Sequence, residues 1–247
     1  MSSAPDVVHD VTDPNAWGAA IDEAVNAVRR GGLVVLPTDT VYGVGAEAFD
    51  ADAVAAIGTA KGRADGTPPP VLVPDLRTLD GLATDVSADA RALAAAFWPG
   101  ALTLVLRAQP SLQWDLGDSR GVVALRVPDH PAALALLRRT GPLAVTGAQR
   151  AGQPAPRDAA AAREQLGDAV AVYLDGGAVP GGGSTVVDAT VTPPRLVRAG
   201  AIDLARLREV VPALADAEAS APGAAPPADV AAAAPGPTAS AATEGDG

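Results

Sequence analysis

The spacing of apolar residues along this 247-residue chain predicts alternating helices and strands. Residues 17–30 carry apolar positions three to four residues apart, as on one face of a helix, and Gly31–Gly32 follow as a stop signal. The apolar run 33–37 predicts a short buried strand, and a second helix is expected from near Asp52 to Lys61–Gly62. Further helix-like segments are 88–97, 131–139, 158–166 and 203–214, and further strand-like runs are 70–74, 102–108, 122–128, 143–147, 170–174, 184–190 and 195–198.

This interleaving predicts an α/β (α+β) fold, built as a single domain with a twisted mixed β-sheet and flanking helices. The composition changes near residue 219, after which prolines interrupt every alanine-rich run and Val230 is the one larger aliphatic residue. Such a segment buries too little apolar surface to offset its ordering entropy. We therefore expect the domain over 15–212, a flexible N-terminus over 1–14 and a disordered, acidic Ala/Pro-rich tail over 213–247.

Composition restricts the chemistry of the chain. It contains no cysteine, which excludes disulfides and thiolate metal sites, and only two histidines. No run approaches the roughly 18 apolar residues of a membrane-spanning helix, so we expect a soluble cytoplasmic protein with no membrane contact. The net charge of −11 argues against a duplex-binding protein, because such proteins usually carry a basic face. A nucleic-acid contact would need a local basic pocket within an acidic surface.

Lys61 is the only lysine among the 18 basic residues. Codon bias toward arginine is one explanation, and a need for a compact, mobile ammonium at this position is the other. Arg63 lies two residues further on, so that both cations are able to face a polyphosphate. The commoner explanation of a basic pair at a helix end is a solvated C-terminus, where the cations offset the helix dipole.

Polar residues interrupt apolar runs at four other places. Residues 37–45, PTDTVYGVG, form either a ligand-binding loop after a strand or an ordinary polar turn packed by Tyr42. Arg126 lies in an apolar strand, where it requires either a ligand carboxylate or an internal acid as partner, and Arg198 poses the same alternative. Residues 181–185, GGGST, are able to present amides and a hydroxyl to an anion.

Taken together, these segments resemble the YrdC/TsaC family of L-threonylcarbamoyladenylate synthases, in its single-domain form, over about residues 15–212. The resemblance rests on the order and spacing of several stretches rather than on one motif. These stretches are LVVLPTDTVYGVGAEAF, AKGR, FWPGALTLVL, VVALRVPDHPAALALL, GPLAVTGAQRAG, LGDAVAVYLDGG, STVVDAT and PRLVRAGAI. The resemblance implies a single YrdC-like domain with an open cleft on one side of the sheet.

The resemblance also implies roles for individual residues. Lys61 and Arg63 match the family's Lys-x-Arg pair and are implied to be catalytic and to contact the phosphates of ATP. Thr38 and Ser184 match threonine-binding positions, and Arg126 matches the arginine that holds the substrate carboxylate. No residue is implied to bind a metal directly, although Mg2+ is implied as the companion of ATP.

The implied nucleotide site also includes Arg198, Gly147 and Gln149, and the last two depart from the family pattern. The family usually has Ser-x-Asn where this chain has Gly147 and Gln149. Gln149 keeps an amide on a longer side chain. Gly147 has no hydroxyl, but the neighbouring residue Thr146 has one. Losing a hydrogen bond to a charged group costs about 1.5–3 kcal/mol, so the resemblance implies a slower enzyme rather than an inactive one.

The implied reaction joins L-threonine, bicarbonate or CO2 and ATP to form threonylcarbamoyl-AMP and pyrophosphate. Its product would pass to the proteins that transfer the threonylcarbamoyl group to tRNA, with a direct tRNA contact as a further expectation. The alternative is a non-catalytic RNA- or nucleotide-binding member of the same fold, including one that binds double-stranded RNA. A domain that carbamoylates a protein partner is a third possibility, disfavoured because no accessory zinc-finger or acylphosphatase-like segment is present.

Overall fold

The structure is a computed structural model and describes residues 7–63, 67–112 and 114–216. Its helices are α1 (Gly18–Arg29), α2 (Ala51–Lys61), α3 (Leu79–Leu82), α4 (Ala88–Phe97), α5 (Pro131–Thr140), α6 (Ala159–Leu166) and α7 (Leu204–Val210), with 3-10 turns at Leu76–Thr78 and Gly167–Ala169. Its strands are β1 (Val8–Asp10), β2 (Val34–Leu36), β3 (Gly43–Glu47), β4 (Val71–Leu72), β5 (Ala83–Thr84), β6 (Leu102–Ala108), β7 (Val122–Arg126), β8 (Leu143–Gly147), β9 (Val172–Asp175), β10 (Thr185–Asp188) and β11 (Arg195–Arg198).

These strands form one mixed sheet, which confirms the predicted α/β fold. The strand order is β1-β9-β2-β3-β8-β4-β7-β6-β10-β11, and β5 pairs with β6. Strands β1 and β2 flank β9 in parallel, and the pairs β4–β7 and β6–β10 are also parallel. The remaining neighbours are antiparallel. Strand β8 therefore lies between β3 and β4 in the middle of the sheet, although it comes late in the sequence.

The sheet is covered by apolar residues on both faces. In β2, Val34 and Val35 belong to different buried clusters, and in β8 the same is true of Leu143 and Ala144. Since successive strand residues point to opposite faces, the two clusters lie on the two sides of the sheet. One cluster is closed by α1 and α5, which contact each other, and the other includes residues of α2 and α4. Both faces are buried, so the strands are apolar runs rather than alternating ones.

Strand β3 was missed by the sequence prediction because glycine is uncommon within strands. A Cβ atom at Gly43 would lie 2.5 Å from Val145 Cγ1, and one at Gly45 would lie 2.7 Å from Val145 Cγ2. Both glycines pair with β8, so their missing side chains leave room for the Val145 side chain on the neighbouring strand. The glycines thus meet a tertiary packing requirement, which a pattern of apolar residues does not record.

The ends of the domain differ from the prediction. Residues 1–14 were expected to be flexible, but Val8–Asp10 form β1 and pair with β9 at the edge of the sheet. At the other end, Leu214 is buried and Ala215 bridges to Arg195, so the fold extends past residue 212. The rest of the predicted tail, residues 217–247, lies outside the described residues. In the part of the chain that the structure describes, no helix is long and apolar enough to cross a membrane.

Leu125 provides a test of the sheet core, because it is fully buried in β7 between Val71 of β4 and Leu104 of β6. We expect Leu125→Ala to lower the free energy of unfolding by about 2–5 kcal/mol, through lost transfer energy and the cavity left behind. The matched control is Leu76→Ala, at a leucine that is 40% exposed, for which the change should stay within about 0.5 kcal/mol. Urea denaturation measures both, and equal effects would contradict this description of the core.

Candidate active site

The loop between β2 and β3 is held by hydroxyl groups of its own. Thr38 Oγ1 donates a hydrogen bond to Val41 O (2.6 Å) and accepts from the amides of Thr40 and Val41 (both 3.2 Å). Tyr42 is fully buried, and its hydroxyl donates to Gly177 O (2.7 Å) while accepting from the Gly176 amide (3.0 Å). Burial raises the pKa of Tyr42. The segment is therefore a turn packed by Tyr42, and its Thr38 also lines a pocket described below.

Arg126, at the end of β7, is 6% exposed and has an internal acid as partner. Its Nη2 atom lies 2.5 Å from Asp39 Oδ1, Nη1 lies 2.9 Å from Thr40 Oγ1, and Nε lies 2.9 Å from Gly100 O. Burial lowers the pKa of Arg126, and the charge and hydrogen bond of Asp39 oppose that shift. Three of the five N–H groups of a guanidinium are thereby used, and the other two have no partner among the described residues.

Lys61 is 2% exposed at the last residue of α2 and is not the solvated helix end that its position suggested. Its Nζ atom donates to Gly147 O at the end of β8 and lies 3.5 Å from Thr146 Oγ1. A backbone hydrogen bond joins the same two segments, because the Ala151 amide donates to Lys61 O (2.9 Å). The single lysine of the chain thus joins the end of α2 to the end of β8 inside the protein.

Ser184 and Arg198 lie together at the start of β10 and the end of β11. Arg198 Nη2 donates to Ser184 O (2.6 Å) and to Ser184 Oγ (3.0 Å), and Ser184 Oγ lies 2.8 Å from Thr103 Oγ1 of β6. Gly200 is required beside them, because a Cβ atom there would collide with the backbone of Ser184. A main-chain oxygen and a hydroxyl oxygen of Ser184 thus hold Arg198.

Two cavities bring most of the predicted site residues together. A pocket of about 100 Å3 is lined by Thr38, Arg126, Gly147, Gln149, Ser184 and Arg198, together with Thr40, Thr103 and Thr146. A larger cavity of about 580 Å3 is lined by Arg63 and by the α2 face from Ala51 to Thr59, with Asp115–Gly117 among its other lining residues. Thr146 lines both cavities, and the Lys61 ammonium lies beside its hydroxyl.

Asp39, Thr40 and Thr103 were not among the predicted site residues. Asp39 and Thr40 hold Arg126, and Thr103 holds Ser184. Sequence reasoning could have identified Asp39 and Thr40, because both lie in the polar segment 37–45. Thr103 lies in an apolar strand, and only its pairing with β10 brings it to the site. These residues position the groups that line the small pocket.

Among the residues that the structure describes, no group of three or more histidine, aspartate or glutamate side chains is arranged to hold a metal ion. Asp39 is engaged with Arg126 and with the Asp129 amide (2.9 Å). The pocket is instead lined by hydroxyls and guanidinium groups, which suit carboxylate and phosphate oxygens. The fold and the site together define a mixed α/β protein with a small pocket lined in part by hydroxyl and guanidinium groups, and a larger cavity that shares Thr146 with it.

Comparison with known proteins supports this class and identifies the family. The Sua5/YciO/YrdC family model, described as "Telomere recombination", matches residues 26–200. A Mycobacterium tuberculosis protein named "Putative threonylcarbamoyl-AMP synthase" is 52% identical over 203 residues, which cover 82% of this chain and 94% of that protein. A threonylcarbamoyl-AMP synthase from Bacillus subtilis is 38% identical, over 82% of this chain and 60% of that protein. The chain belongs to the Sua5/YciO/YrdC family.

A solved structure agrees with this assignment. The crystal structure of Pyrococcus abyssi Sua5 complexed with L-threonine matches with a TM-score of 0.82 and 33% sequence identity. The match covers 89% of this chain and 66% of that one. The fold described above is therefore the YrdC-like fold, as the sequence resemblance implied.

The Arg126–Asp39 pair provides a test of the site's framework. We expect Asp39→Ala to lower the free energy of unfolding by about 3 kcal/mol, because it leaves a buried guanidinium without its counter-charge. The matched control is Asp118→Ala, which removes the partner of Arg120 in a pair with both side chains more than half exposed, and should cost less than about 1 kcal/mol. Denaturant unfolding measures both variants, and a loss for Asp39→Ala as small as the control's would show that the buried pair is not structurally important.

Proposed function

We propose that this protein is an L-threonylcarbamoyladenylate synthase, which forms threonylcarbamoyl-AMP and pyrophosphate from L-threonine, bicarbonate or CO2, and ATP. The observation that carries the proposal is the buried ammonium of Lys61, which lies beside Thr146, a residue that lines both cavities. The names of the relatives and the threonine complex of the P. abyssi structure agree with it. The enzyme is thereby a nucleotidyltransferase that uses ATP.

The small pocket is proposed to bind threonine. Arg126 is held on three sides, so its two remaining N–H groups have a fixed direction from which to bind a carboxylate in bidentate fashion. Thr38 and Ser184 supply hydroxyl groups at the same pocket. One guanidinium can bind both an internal acid and a substrate carboxylate, because Asp39 orients the Arg126 group and the substrate accepts hydrogen bonds from its remaining N–H groups.

The nucleotide is proposed to lie along Lys61 and Arg63, with Gly147, Gln149 and Arg198 at the pocket side. Lysine offers a compact charge that follows a moving phosphoryl group, whereas the arginines offer flat, forked donors that hold phosphate oxygens in place. The cavity of about 580 Å3 next to Arg63 has the size of an ordinary small-molecule site. It is therefore proposed to accept the part of the nucleotide beyond the phosphates.

The proposed chemistry needs no covalent bond to the protein. Threonine's neutral amine either adds to CO2 and loses a proton, or condenses with bicarbonate and releases water, and both routes give the carbamate. A carbamate oxygen then forms a bond to the α-phosphorus of ATP, and the bond from that phosphorus to the leaving pyrophosphate breaks. The residues orient the two substrates and offset the charge that gathers on the phosphate oxygens, with Lys61 the main cation.

Mg2+ is proposed to enter with ATP rather than in a protein cage. The described residues offer no cluster of carboxylates for it, and Mg2+ is commonly held by substrate phosphates, waters and few protein groups. The bound ion would offset charge on the leaving pyrophosphate. We also propose that the protein is cytoplasmic, and that its product passes to tRNA-modifying proteins, with a tRNA contact near the basic residues of the cleft.

The first test is pyrophosphate release by the purified protein with ATP, Mg2+ and bicarbonate. We expect release that depends on L-threonine and is clearly slower with L-serine, because the proposed site binds the threonine side chain. The expected nucleotide product is threonylcarbamoyl-AMP, identified by mass spectrometry. ATP or RNA binding without threonine-dependent release would contradict the enzyme and favour the non-catalytic alternative.

The second test is Lys61→Met, which keeps the apolar stem of the side chain and removes its charge. We expect kcat to fall by about 100-fold or more, as when one transition-state donor is removed. The thermal midpoint should fall, because Gly147 O loses its donor, so kcat is compared at a temperature at which both proteins remain folded. Arg91→Met, at an exposed residue paired with Asp80, is the control, and equal activity of the two variants would disprove the role of Lys61.

A further inference from the structure

Gly147 and Gln149 are packed against each other in the wall of the small pocket. If Gly147 had a Cβ atom, that atom would overlap the Gln149 Oε1 atom and lie 3.0 Å from its Cδ and 3.1 Å from its Nε2. The Gln149 amide therefore occupies the space above Gly147 that any other residue at position 147 would fill.

The backbone around the two residues has little freedom to move. Gly147 pairs with Gly43 in the sheet, and its carbonyl oxygen accepts from Lys61 Nζ. The Ala148 amide donates to Tyr42 O (2.8 Å), and the Arg150 amide donates to Gln165 Oε1 (3.0 Å). A side chain added at position 147 would therefore displace the Gln149 side chain and leave the main chain in place.

The Gln149 amide is also incompletely bonded where it lies. Its Oε1 atom is buried and has no hydrogen-bond partner among the described residues. A buried acceptor without a donor is unfavourable, so rotation of this flexible side chain toward a donor would stabilise it. The adjoining pocket has a volume of only about 100 Å3 with the amide folded over Gly147, which is below the usual range for a ligand site.

From these observations we infer that Gly147 and Gln149 act as one unit, in which the missing side chain at 147 gives the Gln149 amide room to turn between the pocket wall and the bound substrate. The amide oxygen accepts a hydrogen bond from an O–H or N–H group of the substrate, since a phosphate or carboxylate oxygen would repel it. Gln149 is in this way a substrate-positioning residue. This inference rests on the proposed function, and the donor belongs either to the amino acid or to the nucleotide.

A double-mutant cycle of Gly147→Ser and Gln149→Asn tests the coupling. Gly147→Ser fills the space in which the amide turns and fixes it across the pocket in the path of the substrate, and Gln149→Asn shortens the side chain so that its amide no longer reaches the substrate. Each change alone should therefore raise a substrate KM by about tenfold. The double variant adds a hydroxymethyl group and removes a methylene, and should return to within about threefold of the wild type. Thermal midpoints should hardly change, because only a side-chain end moves. Additive losses in the cycle would overturn the inference.

A second variant, Gln149→Met, tests the acceptor itself, because it keeps the length of the side chain and removes the amide. We expect its KM to rise by about tenfold for the substrate that supplies the donor, with kcat less affected. A change in the KM of threonine assigns the donor to the amino acid, and a change in that of ATP assigns it to the nucleotide. Unchanged values for both substrates would overturn the role of the amide oxygen.

Calorimetric binding of threonine and ATP to the same variants separates this inference from the proposed function. An inactive wild type whose ligand affinities still show the coupling would contradict the synthase and support the Gly147–Gln149 unit. An active wild type whose variants show additive effects would support the synthase and contradict the Gly147–Gln149 unit. A wild type that neither turns over nor binds either ligand would overturn both.

Discussion

A buried guanidinium determines how the parts of the site are held together. Arg126 ends a strand in the middle of the sheet, where a charge without partners would be very unfavourable. Asp39 and Thr40 meet this requirement from the β2–β3 loop, and Gly100 meets it from the turn before β6. Two separate segments are thereby fixed to the strand that carries the cation. The direction of its remaining N–H groups follows from that arrangement.

The position of the site follows from the order of the strands. Strand β8 lies between β3 and β4, so its last residues meet the β2–β3 loop on one side and the end of α2 on the other. Lys61 reaches the carbonyl oxygen of Gly147 for this reason. A chain with a net charge of −11 thus gathers four of its basic side chains, those of Lys61, Arg63, Arg126 and Arg198, around two adjoining cavities. The negative net charge of the chain is therefore compatible with a locally basic group of residues.

The Gly147–Gln149 pair shows that the effect of a sequence difference depends on how the residues pack. Compared with the Ser-x-Asn pattern that the sequence resemblance implies, either difference taken alone suggests a weakened site, since one lacks a hydroxyl and the other has a longer amide side chain. In the structure the longer side chain lies in the space that the missing one would occupy, so the two changes offset each other in volume. Their effects on a ligand are consequently expected to be non-additive, as is usual for residues in contact.

The sequence by itself determined the helices α1, α2, α4 and α5 and the long strands β6 and β8 almost to the residue, because their apolar spacing reflects local geometry. It also marked several of the residues that line the small pocket, among them Thr38, Arg126 and Ser184, through polar groups set in apolar surroundings. Only the tertiary structure decided that Gly43–Glu47 is a strand, that Lys61 is buried, and that Asp39 is the partner of Arg126. Each of these depends on a segment far away in the chain, and neither periodicity nor spacing records which distant segments meet.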